Sequence, residues 1–396
     1  MTLRSKINID KILGGPVILI LNYISLIFRR KNVNDNAGIK NILICKFMGM
    51  GSIIQSTPLM ITLKNNYPAS NITFLTVKKN VELLETFPFV DQIITVDESS
   101  VLKLIITFLY TLFYLITHRI DVFIDLEIYS FFSKLFIPFS LAKYKIGFYQ
   151  EGSKIQSGIY SDMLLFKNNA SVKNVYLEIA RLLGCKIINT DLFDYKNISQ
   201  GSNNNLIQNI LPNLYNNDYI VINPNASDLR IERRWPAGDY ILLLNEIMDL
   251  YPGLKIVLSG SADEKKYVNG IAHGVLEKHR SRVINTAGKL DLTGLIRLID
   301  QSRFMITNDS GPMHIAFALN KMTIALFGPC SPVSYDNQKN IEFVYKKIFC
   351  SPCVHDHLIP PCRGDNQCMK LINVSEVIDR VKGIMEKDLI ALSTAG

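Results

Sequence analysis

Apolar runs of strand length alternate along this chain with helical stretches, in two series separated by an Asn-rich break, and few folds accept that pattern. In the first series, residues 41–46 (NILICK) read as a buried strand. Gly49 and Gly51 follow in a loop, a helix over 53–66 is interrupted by Pro58, and 71–77 (NITFLTV) read as the next strand. Residues 92–96 and 122–126 are further strands, with an apolar helix over 101–117 between them. A polar passage at 197–205 breaks the pattern. The second series has strands at 219–223, 255–259, 304–308 and 323–327, with helices at 237–251 and 291–301 and a short helix before the last strand. Strand–helix alternation predicts two α/β domains, each a doubly wound parallel sheet with ligands at the carboxyl ends of the strands.

The chain has 396 residues, length enough for two such domains. Hydrophobic residues make up 48% and charged residues 20%, a balance that excludes a disordered chain. Lys and Arg exceed Asp and Glu by 43 to 35. With no RNP-like aromatic motif, finger spacing or long basic run, that excess suits phosphorylated ligands and an anionic membrane, not nucleic acid. Seven cysteines, an odd number, fit a reducing compartment. Two uncharged stretches, 12–28 and 104–117, fall short of a membrane span of about 20 residues. The first ends in Arg29-Arg30-Lys31 and reads as an interfacial anchor; the second is either interfacial or a buried helix.

Three segments carry chemistry. In 303–329 (RFMITNDSGPMHIAFALNKMTIALFGP), a strand ends in a polar turn where Asp309 or Ser310 can cap a helix. Gly311 admits close approach there, and Pro312 suits the first helical turn. Such a helix N-terminus favours a diphosphate, and His314 lies one turn in, where it can donate to a phosphate oxygen. Asp309 suits sugar hydroxyls better than phosphate. In 221–236 (VINPNASDLRIERRWP), Arg233 and Arg234 are natural phosphate ligands beyond a strand end. In 256–264, Asp263 and Glu264 follow a strand and Ser259-Gly260-Ser261, where a carboxylate can hold ribose hydroxyls or cap the next helix.

Together NILICKFMGMGSIIQSTP, NPNAS with RRWP, SGSADE, and NDSGPMHIAFAL with LFGP resemble glycosyltransferase family 9, typified by the ADP-heptose lipopolysaccharide heptosyltransferases. The resemblance covers about residues 41–385 and is strongest at Asp309–His314. It implies a GT-B architecture: two Rossmann-like domains facing a cleft, acceptor in the first and donor in the second, with metal-independent inverting transfer. The donor contacts it implies are Ser227, Arg233, Glu264, Leu290, Asp309, Ser310, Gly311 and His314. The expected organisation is a membrane-associating segment at 1–38, an acceptor domain at 39–200, a donor domain at 201–372, and a C-terminal helix at 373–396 that crosses back.

One departure matters. The family's first loop usually reads Gly-Asp, that Asp being its general base; this chain has Gly51-Ser52. Serine cannot act as that base unaided. Asp125 and Glu127, at the end of a strand of the same domain, are the candidates, with Glu127 preferred; Asp125 could instead anchor a loop. Cys350-x2-Cys353-x8-Cys362-x5-Cys368, with His355 and His357 between, could close a structural zinc site or simply pack or pair as thiols. No cofactor is required for transfer. The expected function is transfer of a sugar, by default heptose from ADP-heptose, to a lipopolysaccharide core or related lipid-linked or oligosaccharide acceptor, by a protein peripheral on the cytoplasmic face of a bacterial inner membrane. A nucleotide-sugar epimerase and a non-catalytic donor-binding partner remain as alternatives.

Overall fold

The computed structural model describes residues 20, 21, 23, 38–128, 130–150, 158–167, 170–200, 219–226, 228–335, 340–354 and 360–394. Most of the segment 1–38 and part of the Asn-rich passage thus lie outside the described residues. The chain forms two compact units, Met1–Phe193 and Asp194–Gly396.

The first unit runs β1 (Asn41–Cys45), α1 (Met50–Gln55), α2 (Thr57–Asn66), β2 (Asn71–Val77), α3 (Val81–Leu84), β3 (Gln92–Val96), α4 (Val101–Thr117), β4 (Val122–Asp125), β5 (Tyr144–Tyr149), β6 (Asp162–Leu165) and α5 (Val172–Leu182). Its strands are all parallel, in the order β3-β2-β1-β4-β5-β6. The helix expected at 53–66 is two helices. Pro58 has no N–H to offer the carbonyl of Ile54, and the Thr57 hydroxyl donates to that carbonyl instead, at 2.7 Å, while Ser56 Oγ donates to Ile53 O at 2.7 Å. The break lets Pro58 enter the first turn of a new helix.

The second unit opens with α6 (Lys196–Gln200), then β7 (Tyr219–Asn223), α7 (Ala237–Leu250), β8 (Lys255–Leu258), α8 (Lys265–Gly274), β9 (Val283–Asn285), α9 (Leu292–Gln301), β10 (Met305–Asn308), α10 (Gly311–Ala318), β11 (Thr323–Phe327), β12 (Ile341–Tyr345), α11 (Gln367–Lys370) and α12 (Val374–Thr394). Its order is β12-β11-β10-β7-β8-β9, again all parallel. Because α6 packs on α9, this unit begins a few residues before the boundary expected at 200/201. Helix α12 packs against α7, β11 and β12 of the same unit. Numbered within each unit, both sheets have the strand order 3-2-1-4-5-6. The order reverses between the first and fourth strands, β1 and β4 in one unit and β7 and β10 in the other, and ligand crevices open at such reversals.

Candidate functional site

The reversal in the second unit collects most of the residues singled out in the sequence. Strand β7 delivers Asn223, Pro224 and Asn225; β10 delivers Asn308, Asp309 and Ser310, and α10 starts at Gly311. The loops are tied together by amides. Asn308 Nδ2 donates to the carbonyls of Pro224 and Asn225, at 2.9 and 3.2 Å, and its Oδ1 accepts from Trp235 N and the Tyr240 hydroxyl. Asn225 Nδ2 donates to Ser259 O at 2.9 Å, and Gly288 N donates to Gly260 O at 2.9 Å. Gly288 has φ +70, and a Cβ there would sit 3.0 Å from Ala262 Cα, so only glycine lets the loop after β9 approach the loop after β8.

Ser310 occupies the N-cap of α10, but its side chain makes no capping bond. Its hydroxyl accepts from Asn223 Nδ2 at 3.0 Å and pairs with Thr307 Oγ1 at 3.1 Å. The first-turn N–H groups of α10 are therefore left without a side-chain cap, and with the helix dipole behind them they suit an anion. Beside them, Arg233 Nε lies 3.4 Å from Asp309 Oδ2. Burial opposes the guanidinium charge there, but the Asp309 carboxylate together with Cys330 and Tyr335 more than compensates and holds Arg233 above its ordinary pKa. Cys330 and Tyr335 lie within electrostatic reach of this pair, and burial chiefly, with the Asp309 carboxylate adding to it, holds both groups above their ordinary pKa. His314 packs edge-on to Tyr335, ring centroids 4.8 Å apart. Burial, reinforced by Arg233 and opposed by Asp309, brings His314 down to about 4, so its imidazole is neutral at pH 7.

Three of the residues implied as donor contacts are tied to neighbours here. Arg233 and Asp309, assigned separately to phosphate and sugar, are paired with each other. Glu264 turns one oxygen inward: Oε2 accepts from Ser261 N at 2.8 Å and Ser261 Oγ at 3.0 Å, while Oε1 faces Arg234 at 3.9 Å. Arg234 itself lies over the Tyr267 ring and donates to Ala226 O. Leu290 is half-buried in the loop before α9, and Ser227 lies outside the described residues. Cys330 and Tyr335 had no sequence signal, since neither shares a motif or helical face with Asp309.

The reversal in the first unit brings Lys46, Gly51, Ser52, Asp125 and Glu127 together, and its donors are already occupied. Glu127, 2% exposed, accepts from Phe47 N and Met48 N through Oε1, both at 2.7 Å, and its Oε2 lies 3.3 Å from Lys46 Nζ. Burial works against the Lys46 ammonium, but Glu127 outweighs it and leaves the pKa raised. The loop's carbonyls are taken as well: Thr76 Oγ1 donates to Lys46 O at 2.6 Å and Asn80 Nδ2 to Phe47 O at 2.9 Å. Gly49, at φ +90, then turns the chain into α1. Ser52, on α1, lies beside the buried Tyr176 of α5, another residue the sequence did not single out.

Asp125 is fully buried, with Oδ1 accepting from Glu127 N at 2.9 Å and Oδ2 from Ser133 Oγ and the Tyr160 hydroxyl, at 2.9 and 2.6 Å. Tyr160 reaches it by crossing Gly147, where a Cβ would come within 2.3 Å of its ring. This is the loop-anchoring role, and the neighbours of Asp125 leave it no geometry for a general base. All seven cysteines are free. Burial, with Cys350 and Cys362 nearby, pushes Cys353 up to about 11. Among the described residues no three His, Cys, Asp or Glu side chains are grouped to hold a metal, and His355 and His357 lie outside them.

Two Rossmann-like units of this order, one with an uncapped helix terminus beside the Arg233–Asp309 pair, define a two-domain α/β protein of the GT-B fold. The family model for glycosyltransferase family 9 (heptosyltransferase) matches residues 115–360, more than half of the chain, and the chain belongs to that family. It is similar to lipopolysaccharide heptosyltransferase 2 of Escherichia coli K12, 37% identical over 100 residues, which are 25% of this chain and 28% of that protein. Lipopolysaccharide heptosyltransferase 1 of Campylobacter coli is 24% identical over 294 residues, 72% of this chain and 83% of that one. The fold is shared with a family 9 glycosyltransferase from Veillonella parvula, at TM-score 0.69 and 20% identity over 88% of this chain and 97% of that one. It is shared too with E. coli ADP-heptose lps heptosyltransferase II, at TM-score 0.68 and 21% identity over 88% and 99%.

Proposed function

We propose that the protein is an inverting glycosyltransferase that moves a sugar, by default heptose from ADP-heptose, onto a hydroxyl of a lipopolysaccharide core or related lipid-linked glycan at the cytoplasmic face of the inner membrane. The observation that carries this reading is the start of α10 at the β7/β10 reversal, where Ser310 leaves the helix N–H groups uncapped beside Arg233. As the acceptor oxygen attacks the anomeric carbon, the bond to the diphosphate breaks and its electron pair moves onto the phosphate oxygen. The helix terminus and Arg233 would stabilise that charge. In exchanging Asp309 for the diphosphate, Arg233 would free the Asp309 carboxylate for sugar hydroxyls. His314, being neutral, would contribute a hydrogen bond and no charge.

The acceptor proton needs a base. Ser52 cannot take it unaided, and the oxygens of Asp125 are committed to the loops they hold. We assign it to Glu127 Oε2, since Oε1 already takes two backbone N–H bonds. The experiment is release of nucleoside diphosphate from a panel of nucleotide sugars, with and without lipopolysaccharide acceptors, for the native protein, Arg233→Ala and Glu127→Gln. Arg233→Ala is expected to lower kcat/KM by roughly 10²–10³, as loss of one charge-stabilising donor does. Glu127→Gln is expected to abolish turnover while donor affinity is kept. Undiminished release in Glu127→Gln would reduce that residue to a loop anchor. Donor binding with no release across the panel would leave a non-catalytic donor-binding protein.

A further inference from the structure

Helix α4 has an outer face unlike that of any ordinary surface helix. Ser100 caps it by accepting from Lys103 N at 3.2 Å, and its inner side contributes the buried Thr111, Tyr114 and Leu115, with Leu104, Phe108 and Leu112 packed on the core. A helix so placed should be polar on its other side. Here Val101, Leu102, Ile105, Ile106, Leu109, Tyr110, Phe113 and Ile116 are exposed, from 48% for Ile116 to 75% for Val101. Scattered surface apolar residues need no explanation, but eight large ones along a single helix do. Lys103 is the only charged residue among the seventeen.

We infer that α4 lies flat in the bilayer surface, its outer face sunk among the acyl chains of an anionic leaflet. Three features select a membrane over a protein partner. The first is charge: Lys78, its side chain 73% exposed, and Lys103 both bear on Asp97 at the start of the helix, and Arg119, 52% exposed and 3.0 Å from Asp121 Oδ1, follows its end, so all the charge near the face lies at its two ends. Cations at both ends of an apolar face suit lipid headgroups around an immersed helix. The second is composition: from residue 104 to 117 no charged side chain interrupts the face, whereas protein interfaces carry a polar rim. The third is continuity. The uncharged stretch 12–28 ends in Arg29-Arg30-Lys31, and its Leu21 belongs to the same buried cluster as Tyr114 and Leu115, with Ile20 and Tyr23 exposed at 61% and 71%. Among the described residues no helix is long and apolar enough to cross a membrane, which leaves α4 lying along it.

This deepens the membrane part of the proposed function by naming the element that inserts, and it is independent of the donor chemistry. The test is flotation of the full chain with vesicles of phosphatidylethanolamine and phosphatidylglycerol, and with phosphatidylcholine alone. It is repeated with the double substitution Ile106→Glu and Phe113→Glu, alongside donor binding and sedimentation equilibrium. The native chain is expected to float with the anionic vesicles and less with the neutral ones. The variant is expected to bind on the order of a hundred-fold more weakly, two buried apolar side chains having been lost, with donor affinity and melting temperature unchanged. No flotation of the native chain, or equal flotation of the variant, overturns the inference. So does a native dimer that the substitutions dissociate, since the face would then be covered by a second copy. Retained donor binding with lost flotation separates this inference from the donor-site reading.

Discussion

The two sheets share one topology yet treat the same crevice in opposite ways. At the β1/β4 reversal the chain fills its own anion site: the Glu127 carboxylate takes the N–H groups of Phe47 and Met48, and Lys46 neutralises it. At the β7/β10 reversal, Ser310 turns its hydroxyl toward Asn223 and Thr307 and leaves the helix terminus uncapped. A parallel sheet order therefore creates two positive-ended crevices, and the side chains decide which one has its N–H groups taken by the protein's own carboxylate and which leaves them open to an anion. The donor chemistry proposed above falls on the open one.

The sharpest way to break this contrast is to unseal the closed crevice. Lys46→Met removes the counter-ion of a carboxylate 2% exposed, and breaking a buried pair from one side costs about 3–5 kcal/mol. Urea unfolding of the first transition should record that loss, while calorimetric donor affinity should stay within about three-fold. An unaltered unfolding midpoint would mean that the Lys46–Glu127 pair does not hold the loop, and the two crevices would be less different than their geometry indicates.

A smaller effect separates the units by pH. His314 is held down to about 4 mainly by burial, against an ordinary histidine value of 6.5. The native state therefore binds fewer protons than the unfolded one in that interval. The stability this gives is complete above pH 6.5 and is lost as pH falls toward 4, by about 3 kcal/mol in all. Asp125, which burial raises above 3.8, acts with the opposite sign, its contribution being present at low pH and lost as pH rises. His314→Gln should flatten the acid limb of the second unit's stability profile and leave that of the first unchanged. A profile as steep as the native one would assign the limb to other groups.

The sequence made the local features of both crevices legible and hid the long-range ones. Strands β2, β7 and β11 and helix α4 lie where the apolar runs end and the turn residues begin, because the burial of the strands is nearly continuous and the cap of the helix is local, and the half-buried outer strand β3 was readable from its β-branched run QIITV. Strands β6, β9 and β12 are half-buried outer strands with no continuous apolar run, and β5 carries Lys145 and Gly147, so none announced itself. The Asp309–His314 turn was readable from Gly311 and Pro312 at a helix start, although the Ser310 hydroxyl turned out not to cap that helix. Glu127 was readable as a carboxylate at a strand end, but not as the occupant of N–H groups 80 residues upstream. Tyr160 and Tyr335 reach Asp125 and Asp309 through the fold alone.

The mildest substitution sharpens the contrast most directly. If the Ser310 hydroxyl organises the crevice from behind rather than capping α10, Ser310→Ala loses its bonds to Asn223 and Thr307, worth about 1 kcal/mol of stability. The N–H groups proposed to face the diphosphate keep their positions, so donor affinity measured by titration should change by less than about three-fold. A loss of ten-fold or more, which is about 1.4 kcal/mol, would mean that the hydroxyl itself reaches the donor once it is bound. The open crevice would then be one that rearranges around its ligand, unlike the closed crevice, whose polar groups are already satisfied.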